Sequence, residues 1–297
     1  MAVSRDLAVS GAFRAGQVVA RRAPPVLTRP ALELAADRLW ARHGRGVQQL
    51  EANLARAAPH ADVRTLSRAA MRSYLRYWGE AFRLPRWSAA DLRRHVLPHR
   101  PERLRDPLAR GQGVVAVLPH MGNWDLAGAW ACAEGMTLTT VVERLSPAQM
   151  YDDFVRYRSG LGMEVLPLTG GPPTVPVLTE RLRAGRLVCL LADRDLSRTG
   201  LEVTLLGEPA RLPRGPALLA RRTGAVLLPV TTDYQGANMH LRMHPPVQLT
   251  DGPDSVARAT QEVADAFSAA IRRAPADWHM LQRVFAADLA RPQDDSG

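Results

Sequence analysis

The sequence predicts an α/β protein: a central mixed β-sheet flanked by helices on both faces, preceded by a helical N-terminal third. Three observations carry this reading. Residues 1–110 repeat apolar side chains at helical spacing, whereas from residue 111 short apolar runs of strand length alternate with amphipathic helical patterns. At 297 residues, 46% of them hydrophobic, the chain can bury one large core, because roughly 300 residues bury about three quarters of the unfolded surface. One domain over 1–297 is expected, made of a basic helical part (1–110), an α/β core (111–290) and a short polar tail (291–297) read as disordered.

In chain order, Leu32, Ala35, Ala36, Leu39 and Trp40 recur at helical spacing, and after His43-Gly44 the same rule continues through Val47, Leu50, Leu54 and Ala57. A third helix is predicted over 62–83, with Leu66, Ala70, Tyr74, Tyr77, Trp78 and Ala81 as one stripe. Strands are expected at 113–118, 137–142, 163–168, 187–192, 202–206, 225–231 and 239–243. Helices are expected at 124–134, 147–159, 174–184, 213–222, 254–273 and 277–286. The T-G-G-P-P run at 169–173 reads as a surface loop.

Composition narrows the chemistry. The 39 basic residues are all arginine, which excludes a Walker A phosphate loop, a Schiff-base lysine and a lysine general base. Cys132 and Cys189 lie inside apolar runs, as core thiols do. Cys and His show no metal-ligand spacing, so no metal is expected. Nor is there a secretory pattern or a run of 18 apolar residues, which points to a cytoplasmic protein.

The net charge of +10 is unevenly placed: residues 1–110 carry 21 arginines against 9 acids, and the remainder is slightly acidic. Such asymmetry points to an anionic partner, nucleic acid or a membrane leaflet. Arg64, Arg68, Arg72 and Arg76 stand four residues apart on the third helix. Like charges at that spacing repel, so the row is either a solvated face or a docking surface for an anionic membrane. A nucleic-acid binder is disfavoured, because no recognition motif appears and aromatics make up only 5%.

The segment V-V-A-V-L-P-H-M-G-N-W-D at 114–125 places His120 at the C-terminal edge of a buried strand and Asp125 in the first turn of the next helix. Ligands bind at that edge of an α/β sheet. A tight turn would let the Asp125 carboxylate hold one ring nitrogen of His120, leaving the other as general base. Glu143 ends the next strand at an equivalent position. Asp193, Arg194 and Asp195 follow a six-residue apolar run, a placement that is costly unless they face a polar cleft. Arg211 and the P-R-G-P turn precede a helix start that could hold a phosphate.

The H-x-x-x-x-D pattern at 120–125, followed by G-A-W, resembles the glycerolipid and lipid A type acyltransferase superfamily. V-V-E-R-L-S-P at 141–147, A-D-R-D-L-S-R-T-G-L-E-V at 192–203, G-E-P-A-R-L-P-R-G-P at 207–216 and W-H-M-L-Q at 278–282 resemble, as a set, the phosphatidylinositol mannoside acyltransferases. This resemblance spans nearly the whole chain. It implies a glycerolipid-acyltransferase-like fold with no permanently bound cofactor, and transfer of a long acyl group, typically palmitoyl, from acyl-coenzyme A to a mannose hydroxyl. The site would be at the cytoplasmic membrane face, with the protein attached peripherally. His120 and Asp125 would be catalytic; Glu143, Arg158, Asp193, Arg194, Asp195 and Arg211 would meet substrate. The family often carries Glu where Asp193 stands. A lysophospholipid or a lipid A precursor is the alternative acceptor within the same superfamily.

Overall fold

A computed structural model describes residues 25–143, 148–168, 173–195 and 199–289. The first 24 residues, most of the Gly/Pro loop at 169–172 and the tail expected at 291–297 lie outside these. Helices α1 (Pro25–Ala41), α2 (Arg45–Ala57) and α3 (Val63–Ala81) occupy the N-terminal third, followed by the short α4 (Ala89–His95). The core then runs β1 (Val96–His99), α5 (Glu102–Ala109), β2 (Val114–Leu118), α6 (Trp124–Ala133), β3 (Leu138–Val142), α7 (Ala148–Gly160) and β4 (Glu164–Pro167). It continues through α8 (Thr174–Arg183), β5 (Leu187–Leu191), β6 (Leu201–Leu205), β7 (Glu208–Leu212) and α9 (Gly215–Thr223). The C-terminal part holds β8 (Val226–Gln235), β9 (Asn238–Met243), α10 (Ser255–Arg273) and α11 (Ala286–Leu289).

Seven strands form the sheet in the order β1-β9-β8-β2-β5-β3-β4. The five strands from β8 to β4 are parallel to their neighbours, whereas β9 is antiparallel to β8 and β1 follows β9 in parallel. The sheet is therefore mixed, and both of its faces are buried. Val115 and Val117 of β2 point into a core shared with α8, α9 and α10; Val114, Ala116 and Leu118 point into one shared with α4 and α6. A third, smaller core lies among α1, α2 and α3, around Ala36, Leu50 and Leu54. Burial on both faces explains why β2 and β5 read as continuous apolar runs rather than alternating ones.

Two expectations need correction. The run at 202–206 is a strand, but it pairs with β7 in a separate hairpin and not in the main sheet. The helix expected over 277–286 is mostly absent: a 3-10 turn covers Pro275–Asp277, the chain then runs extended, and only Ala286–Leu289 is helical. The extended piece is recruited by the turn after β2, where Met121 bridges Trp278 and the His279 N–H donates to the His120 carbonyl at 2.8 Å. Strand β1 escaped notice because its V-L-P-H carries only two aliphatic residues and lies at the sheet edge.

The arginine row meets its anions within the chain. Arg64 pairs with Glu51 at 2.7 Å and covers the Trp40 ring; Arg68 and Arg72 share Asp37 at 2.5 and 2.6 Å. Arg76 pairs with Glu80 at 2.8 Å and donates to the carbonyls of Gly236 and Ala237. The two arginines beside Asp37 hold its carboxyl well below the usual carboxylate range. The repulsion along α3 is thus offset by clamping α3 onto α1, α2 and the β8–β9 turn, and it requires no membrane. Among the described residues no helix is long and apolar enough to cross one.

Candidate active site

β2 and β5 are neighbouring parallel strands with Leu118 opposite Leu191. Two residues beyond each, His120 and Asp193 meet across the same register. The His120 ring donates from Nδ1 to Asp193 Oδ1 at 2.6 Å, and its backbone N–H donates to Asp193 Oδ2 at 2.8 Å. The Trp278 indole N–H adds a third bond to Oδ2 at 2.9 Å. Asp193 is fully buried. Burial works to raise its pKa, but the charge and hydrogen bonds of His120, with Trp278, outweigh it and hold the carboxyl below its ordinary value. A carboxylate accepting from Nδ1 fixes the tautomer and leaves Nε2 as the lone-pair nitrogen, on a side chain 29% exposed.

Gly122 makes this turn possible. It sits at φ +58°, and a Cβ there would lie 2.8 Å from the Thr232 carbonyl oxygen, so an ordinary side chain would be both strained and blocked. The Thr232 hydroxyl bonds the Met121 carbonyl, and the Gly122 N–H donates to the Asp277 carbonyl. The turn is therefore tied to β8 and to the C-terminal segment.

Asp125 does not reach His120. Asn123 caps α6 through the Leu126 N–H, and Asp125 in the first turn faces α3 and α7 instead. There it accepts from Tyr77 Oη at 2.8 Å and from Arg158 Nε at 2.7 Å. All three groups are buried. Burial works to lower the Arg158 pKa, but Asp125, and Tyr77 after it, outweigh that and raise it. Burial and the neighbouring carboxylate push the Tyr77 phenol well above its usual value.

The other expected residues divide. Glu143, at the end of β3, pairs with Arg194 at 3.0 Å, both partly exposed on the same sheet edge as His120. Asp195 accepts the Gly200 N–H at 2.8 Å. Arg211 stands in β7, in register with Glu202, on an exposed face of the separate hairpin; it is part of a strand and not of the helix start that follows.

Sequence reasoning missed Tyr77, Trp278 and His279 as members of this cluster. His279 donates from Nε2 to Ser73 Oγ at 3.0 Å, and the serine hydroxyl donates in turn to Asp277 Oδ1 at 2.6 Å. Burial, with His120 nearby, pushes the His279 pKa down to about 3, so the ring is neutral. Trp124 packs edge-on to His120, with centroids 5.4 Å apart, and against Tyr77 at 4.2 Å. Their signal was present in W-H-M-L-Q and in the aromatic stripe of α3, which reads equally well as core packing.

Beside Trp124 a narrow cavity opens between the sheet and α6. Its walls are apolar, Trp124 and Trp130 among them, except for Asp125, Arg158, Thr140 and the Cys189 thiol. A buried carboxylate on a partly exposed imidazole at a strand edge, a buried arginine and an apolar cavity suit general-base chemistry on a ligand with an apolar part.

The chain belongs to the bacterial lipid A biosynthesis acyltransferase family, whose model matches residues 13–287. Among curated proteins it is 46% identical over 293 residues to the phosphatidylinositol mannoside acyltransferase of Mycobacterium tuberculosis (strain ATCC 25618 / H37Rv), covering 95% of this chain and 90% of that one. It is 45% identical over 282 residues to the phosphatidylinositol mannoside acyltransferase of Mycolicibacterium smegmatis, covering 94% and 91% of the two chains.

Proposed function

We propose that this acyltransferase moves a long-chain acyl group, such as palmitoyl, from acyl-coenzyme A to a mannose hydroxyl of a phosphatidylinositol mannoside, with His120 as general base. The observation that carries the chemistry is the buried Asp193 carboxylate on Nδ1 of a partly exposed imidazole, next to an apolar cavity. The acceptor follows the names of the relatives.

In this reading His120 Nε2 takes the proton of the acceptor hydroxyl as its oxygen attacks the thioester carbonyl. Asp193, rather than Asp125, stabilises the imidazolium so formed. The tetrahedral intermediate collapses by breaking the C–S bond, and the imidazolium returns the proton to the departing thiolate, giving ester and free coenzyme A. No acyl-enzyme is required, because a thioester is already activated. Arg158 borders the cavity with its charge held by Asp125, and is the candidate cation for the thioester oxygen as negative charge develops there. Asp125 then acts as a positioning residue. Glu143 and Arg194 offer a carboxylate and a guanidinium to sugar hydroxyls and anionic groups at the open edge. Peripheral attachment to an anionic, cytoplasmic membrane face fits the basic N-terminal third and a lipid acceptor.

A mass-spectrometric product assay with purified lipids tests this. Acylated phosphatidylinositol dimannoside should form with the wild type and not with His120→Ala, which should stay folded. Near wild-type turnover by that variant would sink the base assignment, a trapped acyl-protein would sink direct transfer, and product on a lysophospholipid or lipid A precursor alone would reassign the acceptor.

A further inference from the structure

We infer that the outer face of β8, β9 and β1 carries a binding site for an oxyanion of the phosphate class, built by His99, His240, Arg242 and Arg273. The inference goes beyond the acyl-transfer reading and does not depend on it. Met239, Leu241 and Met243 of β9 point into the core shared with α4 and α6. His240 and Arg242, which alternate with them, therefore stand on the opposite face, and the sheet lies between them and the apolar cavity. Register brings His240 beside Asp233 of β8, and His99 of β1 beside Arg242. Arg273 joins them from the last turn of α10.

Charge on this face does not balance. The buried Asp233 accepts from Arg242 Nε at 2.8 Å and from Arg273 Nη2 at 3.0 Å, both at Oδ1. One guanidinium would neutralise it. Arg103 adds a third, which donates to the Met243 carbonyl at 3.0 Å. The nearby Asp277 is turned away, to Ser73 and the Tyr234 N–H. Three guanidiniums thus stand around one carboxylate, and the Arg273 side chain is 39% exposed. The same three arginines, after burial, push the His244 pKa down to about 4. A metal cation would be repelled here, whereas an oxyanion offsets the excess.

The imidazoles supply the remaining donors. A guanidinium only donates, so the contact of Arg242 Nη2 with His240 Nδ1 at 3.3 Å makes that nitrogen an acceptor and puts the His240 proton on Nε2. His99 then donates from Nε2 to the same nitrogen at 2.8 Å, and its own Nδ1 is bare. The charged and titratable groups facing His99 are Arg242, His240, Asp233 and Arg273; burial, then Arg242 and His240, hold its pKa below the ordinary value. An oxyanion among Arg273, Arg242 and the His240 Nε2–H accepts charge-assisted hydrogen bonds and favours a proton on His99 Nδ1. Binding therefore strengthens as pH falls.

Inorganic sulfate is the probe, because its charge does not change between pH 5.5 and pH 8. Titrated into the full chain at constant ionic strength, it should shift the imidazole NMR signals of His99 and His240 saturably. It should bind about tenfold more tightly at pH 5.5 than at pH 8. Arg273→Gln should weaken binding about tenfold. His240→Ala, which removes the Nε2 donor, carries the test should Arg273→Gln not fold by circular dichroism. Competition then identifies the source of the anion: displacement of sulfate by inositol 1-phosphate assigns a soluble ligand, and displacement only by phosphatidylinositol vesicles assigns a lipid headgroup. Equal shifts with chloride, a response that persists in the folded variants, or equal binding at both pH values overturns the site and leaves the cluster as an ion-pair network joining β8, β9 and α10.

Discussion

Asp193 lies 73 residues from His120 in the chain, yet its carboxylate accepts from both the ring and the backbone of that histidine, at 2.6 and 2.8 Å. Register explains the contact, since each residue stands two positions beyond the paired Leu118 and Leu191. Asp193→Asn keeps the shape but removes the charge and one acceptor site from the imidazole. Its kcat should fall about 10³-fold with KM little changed. A kcat within a few-fold of wild type would show that the pair is structural.

Asp125 is predicted to behave differently. Asp125→Asn or Asp125→Ala leaves the buried Arg158 charge uncompensated, which costs about 3–5 kcal/mol of stability, read from the urea midpoint. Turnover should fall as Arg158 loses its position. The pH dependence of the residual rate should keep the wild-type inflection, because the His120 partner is intact; a shifted inflection would return Asp125 to direct contact with the base. Tyr77→Phe removes one hydrogen bond to the same carboxylate and should cost roughly 1.5–3 kcal/mol.

Acid should destabilise the fold through two neutral histidines. His279 and His244 are depressed to about 3 and about 4, chiefly by burial, from an ordinary 6.5. Below pH 6.5 the unfolded chain takes up protons that the folded one refuses, so this stability is present above 6.5 and is lost as pH falls toward 4. Urea titrations at pH 7.5 and pH 5 should differ by on the order of 4 kcal/mol, about 2 from each histidine. His279→Gln should flatten part of that slope, and an unaltered slope in the variant would exclude His279 as its source.

Changing Arg64, Arg68, Arg72 and Arg76 together to Gln should lower the melting temperature, because Asp37, Glu51 and Glu80 lose the partners that bind α3 to its neighbours. Cosedimentation with anionic vesicles should fall only slightly, since most of the row's charge is already answered. A large, salt-dependent loss of vesicle binding at unchanged melting temperature would make the row a docking surface.

Much of the sheet was legible because both of its faces are buried: β2 and β5 must then be apolar throughout, and a short apolar run bounded by polar turns identifies them. Helix α10 was legible for the opposite reason, its apolar side chains recurring on one buried face along 19 residues. The segment after Pro275 was misread because Trp278, Leu281 and Phe285 fall at helical spacing, while Trp278 and Met280 fall equally well at strand spacing. Only the open side of the turn at Met121 decides between them.

By itself the sequence determined that His120 ends a buried strand, that Asp193 ends another, and that the N-terminal third holds the basic excess. Tertiary structure decided which acid His120 meets. Asp125 is five residues away, but it is committed by its helix to Tyr77 and Arg158; Asp193 is distant in the chain but adjacent in the sheet. It also decided that the arginine row faces carboxylates of its own chain. Periodicity records which way a side chain points relative to its own element, whereas partners depend on which elements lie side by side. Strand order sets that arrangement, and no local spacing encodes it.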